Sequence, residues 1–155
     1  MSTEEKKNSQ ISLDSEILSP STEKEVSEIV REIYSKQLPI EITGTGTKKD
    51  FGYNLQTARK LVLSKLSGII DYKKEELYIK VKAGTLIQDI EKILDENNQE
   101  LAFEPIDFGY MINGQSNKGT IGGYVACNFA GSRRFKVGSV RDHILGFKGV
   151  NGKGD

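Results

Sequence analysis

Glycine is concentrated in three stretches of this 155-residue chain, and they limit what it can fold into. The first is Gly44-Thr45-Gly46-Thr47-Lys48, the second is Gly119-Thr120-Ile121-Gly122-Gly123, and the third runs from Gly131 onward. Glycine lets an anion approach the backbone closely, and a helix that begins after such a loop adds partial positive charge. Two such loops in one small domain favour a dinucleotide site, although an ordinary tight turn explains either loop taken alone.

Two common nucleotide-binding patterns are absent. The Rossmann pattern requires glycine at its first, third and sixth positions, and the sixth position counted from Gly44 is Lys49. The P-loop pattern requires Gly-Lys followed by Ser or Thr after a four-residue spacer, and no segment supplies it. The sequence therefore gives no support to a Rossmann domain or to a P-loop ATPase or kinase.

Apolar periodicity predicts two amphipathic helices. A capping-box pattern at Thr22–Glu25 precedes apolar residues at helical spacing as far as Gln37. A second capping box, at Thr85–Gln88, precedes a helix that runs to about Asn97. Short runs of β-branched and aromatic residues predict strands at 39–43, 61–63, 69–70, 77–81, 101–103 and 144–150.

The remaining segments are predicted to form a tail, a loop, a further helix and a turn. Residues 1–13 are polar and are predicted to be a disordered tail, so that the domain comprises residues 14–155. Residues 104–119 are predicted to be a loop, and 120–131 a helix led by glycine. Residues 149–154 have the pattern of a strand entering a hairpin turn, and the returning strand is missing. We therefore expect the domain to be incomplete at its C-terminus.

Composition excludes several classes of protein. Lys plus Arg and Asp plus Glu both number 22, so no overall basic excess would recruit nucleic acid. The apolar runs are only a few residues long, whereas a membrane-spanning helix needs about 20. The polar start lacks the apolar core of a secretory signal, and a single cysteine forms no internal disulfide. We expect a cytoplasmic protein.

The charge is unevenly distributed even though the total is zero. Six basic residues, among them Arg133, Arg134 and Arg141, lie between Gly131 and Asp155, against two acidic ones. A basic, glycine-rich segment suits contact with a pyrophosphate. A solvated face or a contact with another subunit explains the same charges equally well.

His143 and Cys127 are each the only residue of their kind. They supply neither a His-Cys metal cluster nor a triad with a second histidine or cysteine, and we predict no metal site. We predict that His143 is a partly buried structural residue and that Cys127 is a small buried residue in a helix.

Taken in order, the motifs resemble the FAD-linked oxidase domain of the vanillyl-alcohol-oxidase and p-cresol-methylhydroxylase (PCMH) superfamily. The segments that carry the resemblance are Pro39–Thr47, Val81–Thr85, Gly119–Gly123 with Asn128 and Gly131, and Val140–Gly146. Within the superfamily, Gly131–Arg134 followed by Gly138–Asp142 looks most like the FAD-binding subunits of bacterial glycolate oxidases. The resemblance implies an α+β fold: the N-terminal part of an FAD-binding PCMH-type domain, with a small βαβ-like subdomain followed by the start of a second mixed α/β subdomain.

The resemblance also implies a set of cofactor-binding residues. The loop matching Gly44–Lys48 wraps the FAD pyrophosphate with backbone amides, and the loop matching Gly119–Gly123 meets the ribityl and pyrophosphate portions. Asn128 and Gly131 fall close to the flavin. The first loop contains no histidine, so the resemblance implies noncovalent FAD. The residues assigned in this way are Gly44, Thr45, Gly46, Thr47, Lys48, Gly119, Thr120, Ile121, Gly122, Gly123, Asn128 and Gly131.

The function implied is the oxidation of a 2-hydroxy acid, such as glycolate to glyoxylate, in a complex with a second flavin subunit and an iron–sulfur subunit. Such a complex could hold the protein at the periphery of the inner membrane. Two alternatives stay open: another FAD-linked oxidase or dehydrogenase, such as a lactate dehydrogenase relative, and a structural subunit that keeps the fold without flavin. No catalytic residue is assigned, because the substrate domain of the family is not present in this chain.

Overall fold

A computed structural model describes residues 17–49, 52–53 and 55–155, and the predicted tail at 1–13 lies outside them. Two short 3₁₀ helices, Leu63–Lys65 and Val140–His143, accompany the longer elements. Within the described ranges, none of the helices has the length and apolar character that crossing a membrane requires. The strands and α-helices follow in the order β1 (Ile17–Leu18), α1 (Glu23–Ser35), β2 (Glu41–Thr43), β3 (Lys60–Val62), β4 (Ile69–Lys73), β5 (Tyr78–Val81), α2 (Ile87–Asp95), α3 (Phe108–Asn113), α4 (Ile121–Cys127) and α5 (Arg134–Val137).

A parallel sheet packed against α1 forms the first subdomain. β3 lies in the middle of the sheet, with β1 and β2 parallel to it on either side. Thr22 begins α1 as predicted, because its hydroxyl accepts a hydrogen bond from the Glu25 N–H at 3.2 Å. The order β1–α1–β2 is the predicted βαβ-like unit. Its core consists of Leu18, Val26, Ile29, Ile33, Leu61 and Leu66.

The second subdomain begins with a hairpin that leads into α2. β4 and β5 pair antiparallel, with Tyr72 opposite Ile79, and the register shifts between Ile69 and Asp71. The predicted strand at 69–70 is therefore the start of a longer one. A second cluster of buried side chains, Ile87, Phe108 and Tyr124, joins α2, α3 and α4.

Two predicted strands are wrong. Residues 101–103 form a bend, and the ring of Phe103 lies 6.0 Å from that of His143 instead of standing in a sheet. Residues 144–150 form no strand, because a strand requires a neighbour to pair with and the described residues offer none there. The predicted turn that follows does form: the Asn151 side chain accepts hydrogen bonds from the Lys153 and Asp155 N–H groups.

The start of α2 and the loop before α4 also differ from prediction. The second capping box is wrong, because Leu86 is the N-cap of α2 and no side chain caps it. The Thr85 hydroxyl instead donates to the Lys82 carbonyl at 2.7 Å. The predicted loop at 104–119 contains α3, which forms because Asp107 accepts a hydrogen bond from the Tyr110 N–H at 2.9 Å and caps the helix.

The last described residues dock on α1. The Gly154 carbonyl accepts hydrogen bonds from the Ser27 hydroxyl and from Nη2 of Arg31, the latter at 2.9 Å. Gly154 has φ +86°, and a Cβ at this position would lie 2.7 Å from the Ser27 carbonyl oxygen. Glycine is required here both by its backbone angle and by the close approach to α1.

Truncation of the second core should destabilise the protein strongly. Ile87 is 0% exposed, so we expect Ile87→Ala to lower the free energy of unfolding by about 2–5 kcal/mol. Leu145 is 87% exposed, and we expect the control Leu145→Ala to change it by less than about 0.5 kcal/mol. Denaturant unfolding of the purified full-length protein measures both, and equal losses would contradict the assigned core.

Candidate functional site

The two glycine loops, which are far apart in the sequence, lie against each other. The first loop (Gly44–Lys48) follows β2, and the second loop (Gly119–Gly123) leads into α4. A Cβ added to Gly119 would lie 2.7 Å from Oγ1 of Thr47, and Gly119 has φ +87°. Only glycine fits such a position without strain. The structure therefore brings together most of the predicted site residues.

Thr120 is the residue of the second loop that faces the start of the first. It is buried, and its hydroxyl accepts a hydrogen bond from the Gly123 N–H at 3.4 Å, which caps α4. A Cβ added to Gly44 would overlap this same hydroxyl. The absence of a side chain at Gly44 thus allows the first loop to pass over the capped start of α4.

A third segment, Ala83–Ile87, holds the second loop in place, although it is not among the predicted site residues. Its sequence signal is the Ala83-Gly84-Thr85 motif that follows β5. Two acceptors and one donor on this segment fix the backbone of the second loop from one side. The hydrogen bonds run from Ile121 N–H to Thr85 O (2.9 Å), from Gly122 N–H to Ala83 O (2.9 Å) and from Ile87 N–H to Gly119 O (3.0 Å).

The two loops differ in the backbone donors that they offer. The N–H groups of Ile121, Gly122 and Gly123 are already engaged within the protein. The N–H groups of Thr45–Lys48 have no hydrogen-bond partner within the described part of the chain. Successive unpaired N–H groups in a loop form a concavity that binds anions. The first loop therefore supplies the donors, and the second supplies a backbone in a fixed position.

Lys48 points its ammonium group onto an aromatic pair. Nζ lies 4.2 Å from the centre of the Tyr124 ring and 5.1 Å from that of Phe108, which are cation–π distances. Burial lowers the pKa of Lys48, and the nearby Cys127 thiol opposes this only in part. Among the described residues, no carboxylate pairs with this ammonium. Within that part of the chain, the site holds a partly desolvated cation without a neighbouring anion.

The ring of Tyr124 lies under the Lys48 ammonium. Its side chain is fully buried, and its hydroxyl donates a hydrogen bond to the Ile106 carbonyl. Burial raises the pKa of Tyr124, and the negative charges of Asp107 and Glu91 raise it further. The phenol is therefore neutral at physiological pH and is a packing group with a fixed orientation.

Asp107 fixes the residues that precede the second loop. Its carboxylate accepts hydrogen bonds from the Ser116 hydroxyl at 2.6 Å and from the N–H groups of Tyr110 and Asn117, each at 2.9 Å. Burial alone would raise the pKa of Asp107, but these hydrogen bonds outweigh it and the pKa is lowered. The ionised carboxylate thus ties α3 to the residues immediately before Gly119.

The other two predicted site residues, Asn128 and Gly131, have contacts outside the two loops. Asn128 ends α4 with φ +52°, and its side chain accepts a hydrogen bond from the Arg141 N–H at 3.0 Å. The Gly131 N–H donates to the Glu104 carbonyl at 3.0 Å, and a Cβ on Gly131 would lie 2.7 Å from the Cβ of Glu104. Both residues therefore have structural contacts of their own, and their predicted place beside the flavin stays a prediction.

The predictions for the unique histidine and cysteine are wrong about burial. His143 is exposed, and its Nε2 lies 2.9 Å from the Val137 carbonyl. Cys127 is also exposed, since it lies in the last turn of α4 beside the open site. The described residues contain no group of His, Cys, Asp and Glu that could hold a metal ion.

A parallel βαβ unit, a following mixed subdomain and a donor-rich loop against a glycine segment define a nucleotide-binding α+β domain. Residues 15–155 match the family described as an FAD binding domain. The chain belongs to this family, and its cofactor is FAD. The site itself fits this cofactor, since N–H groups and an ammonium without a carboxylate partner among the described residues meet glycines that have no side chain.

Three similar proteins of known sequence are an oxidase subunit and two dehydrogenases. Glycolate oxidase subunit GlcE of Escherichia coli (strain K12) is 35% identical over 127 residues, which cover 82% of this chain and 34% of the relative. D-lactate dehydrogenase of Anaerostipes hadrus is 29% identical, covering 77% and 24%. Mitochondrial D-2-hydroxyglutarate dehydrogenase of Rattus norvegicus is 28% identical, covering 86% and 24%. The chain therefore spans about a third or less of their length.

Solved structures confirm the predicted fold class. Berberine bridge enzyme superposes with a TM-score of 0.68 at 16% identity, over 90% of this chain and 26% of that one. Alkyldihydroxyacetonephosphate synthase superposes with a TM-score of 0.61 at 18% identity, over 83% and 24%. The predicted α+β, PCMH-type FAD-binding fold is thus correct over the residues that the structure describes.

The contact between the loops can be tested with two glycines that share a positive φ. Gly119→Ala should lower both FAD occupancy and the melting temperature, because the new Cβ pushes against Thr47. Gly114 has φ +74° and nothing within 4 Å of an added Cβ, so Gly114→Ala carries the backbone strain alone. The ratio of flavin to protein absorbance and thermal unfolding measure both variants. Identical losses would show that the loops do not depend on their mutual approach.

Proposed function

We propose that this chain is the FAD-binding part of a subunit of a 2-hydroxy-acid oxidoreductase, namely a glycolate oxidase, which converts glycolate to glyoxylate. The observation that carries the cofactor role is the convergence of the donor-rich first loop with the second loop. The substrate class is supported by the relatives, whose names refer to glycolate, D-lactate and D-2-hydroxyglutarate. FAD would supply the two-electron redox chemistry, and the chain would hold and orient it.

The binding roles follow from the donors. The N–H groups of Thr45–Lys48 would bind the pyrophosphate, while Gly44 and Gly119 keep the loops close enough to enclose it. The second loop, Gly119–Gly123, would line the same cofactor and places no side chain at Gly119, Gly122 or Gly123. Asn128 and Gly131 would lie nearer the flavin ring. The first loop has no histidine, which supports noncovalent attachment.

Two rival functions differ from this one in measurable ways. A relative of lactate dehydrogenase would bind FAD equally well and prefer another acid, as the 29% identity to D-lactate dehydrogenase permits. A structural subunit without flavin would have no need of unpaired N–H groups beside two side-chain-free glycines. The retained site favours flavin binding.

Flavin content and substrate choice test the proposal together. Purified full-length protein reconstituted with FAD and gel-filtered should retain flavin absorbance, and denaturation should release the flavin into solution. In the isolated complex, anaerobic bleaching of the flavin should be faster with glycolate than with D-lactate or D-2-hydroxyglutarate. Absence of flavin after reconstitution would support the structural rival, and fastest bleaching by D-lactate would support the dehydrogenase.

The proposed complex also contains a second flavin subunit and an iron–sulfur subunit, and through them the protein would work in the cytoplasm or at the inner membrane. The basic C-terminal segment supports a subunit contact. Arg134 is exposed, and beside it Phe135 presents a fully exposed aromatic ring. Exposed aromatic and arginine side chains are enriched where proteins associate.

Alanine substitution separates this role from cofactor binding. We expect Arg134→Ala to leave FAD affinity within about twofold and to reduce co-purification of the partner subunits, because its side chain is exposed. Lys65→Ala removes an exposed positive charge outside the C-terminal segment and serves as the control. A loss of FAD affinity in Arg134→Ala would instead assign this arginine to the pyrophosphate.

A further inference from the structure

We propose that the side-chain ammonium of Lys48 binds the diphosphate of the cofactor and makes the site selective for phosphate-bearing ligands. This inference rests on the FAD-binding function proposed above and adds a role that backbone amides do not supply. Amides of the first loop can orient an anion, but they carry no net charge. Lys48 is the cation that the site itself contributes.

The position of Nζ is the first argument. The ammonium lies between the two loops: a Cβ added to Gly119 would be 3.5 Å from it, and one added to Gly123 would be 3.7 Å away. Both residues are glycine, so no side chain of the second loop blocks the approach of a ligand to Nζ. The cation therefore lies between the glycines of the second loop and the first loop, whose N–H groups at Thr45–Lys48 have no partner among the described residues.

The hydrogen-bonding capacity of the ammonium is the second argument. A lysine ammonium has three donors. One contact is made with Oγ1 of Thr47 at 3.4 Å, and the rings of Tyr124 and Phe108 receive one face of the cation. These partners leave donor capacity free, and within the described ranges no carboxylate uses it. A phosphate oxygen would accept a hydrogen bond from the donor capacity of the Lys48 ammonium that remains.

The balance of charge is the third argument. Removing an ammonium from water is unfavourable unless an anion or a polarisable group replaces the lost hydration. The aromatic pair offsets part of this cost, and burial still lowers the pKa of Lys48. A bound diphosphate would supply the missing negative charge and would hold the amine protonated. The neighbouring Lys49 is exposed and has no such surroundings.

Lys48→Met tests the proposal, because methionine keeps the long apolar stem over the rings and removes the charge. Its affinity for FAD and for ADP should fall by about ten- to hundredfold, the loss expected for one charge-assisted hydrogen bond. Lys48→Arg should retain most of the affinity, and Lys49→Met should bind both ligands like the unmodified protein. Fluorescence titration measures FAD, calorimetry measures ADP, and circular dichroism verifies that each variant is folded.

A second measurement needs no variant. Mass spectrometry after amine acetylation of the full-length protein should show that ADP or inorganic pyrophosphate protects Lys48, whereas Lys49 reacts equally with and without them. Failure of the unmodified protein to bind either FAD or ADP would reject the proposed function. Normal binding by Lys48→Met, or unprotected acetylation of Lys48 in protein that binds ADP, would reject this inference alone.

Discussion

Three backbone hydrogen bonds between Ala83–Ile87 and the second loop hold the candidate site in register. Two of them use the first N–H groups of α4, and the third uses the first N–H group of α2, so both helix starts are fixed to each other. With the second loop held in this way, Thr120 lies against Gly44 and Gly119 lies against Thr47. The N–H groups of the first loop have no partner among the described residues. Because of these bonds, the second loop is fixed within the protein, and the first loop is the one that offers backbone donors.

The sequence predicted the elements whose signals are local. The periodicity and cap of α1 are contained within a few residues, and the predicted start at Thr22 is observed. The second capping box failed because the Thr85 hydroxyl has a better acceptor in the turn after β5, the Lys82 carbonyl. The strand at 144–150 failed because pairing depends on a neighbour, which composition cannot supply.

The candidate site was predictable in outline and not in detail. Glycine spacing and the family resemblance identified both loops, and the structure brings them together. The sequence could not tell which amides stay unpaired, because that depends on the Ala83 and Thr85 carbonyls. Nor could it place the Lys48 ammonium over Phe108 and Tyr124, because these rings belong to α3 and α4, which are far from Lys48 in the sequence.

The docking of Gly154 on α1 has a consequence for synthesis on the ribosome. Ser27 and Gly154 are 127 residues apart in sequence, and the Gly154 carbonyl accepts a hydrogen bond from the Ser27 hydroxyl. At about 5–20 residues per second, roughly 6–25 s separate the emergence of the two partners. During that interval the exposed side of α1 lacks its final contact. In the nascent chain, α1 therefore stays without the contact to Gly154 until the last described residues have been synthesised. The speed of translation between Ser27 and Gly154 sets the length of this interval.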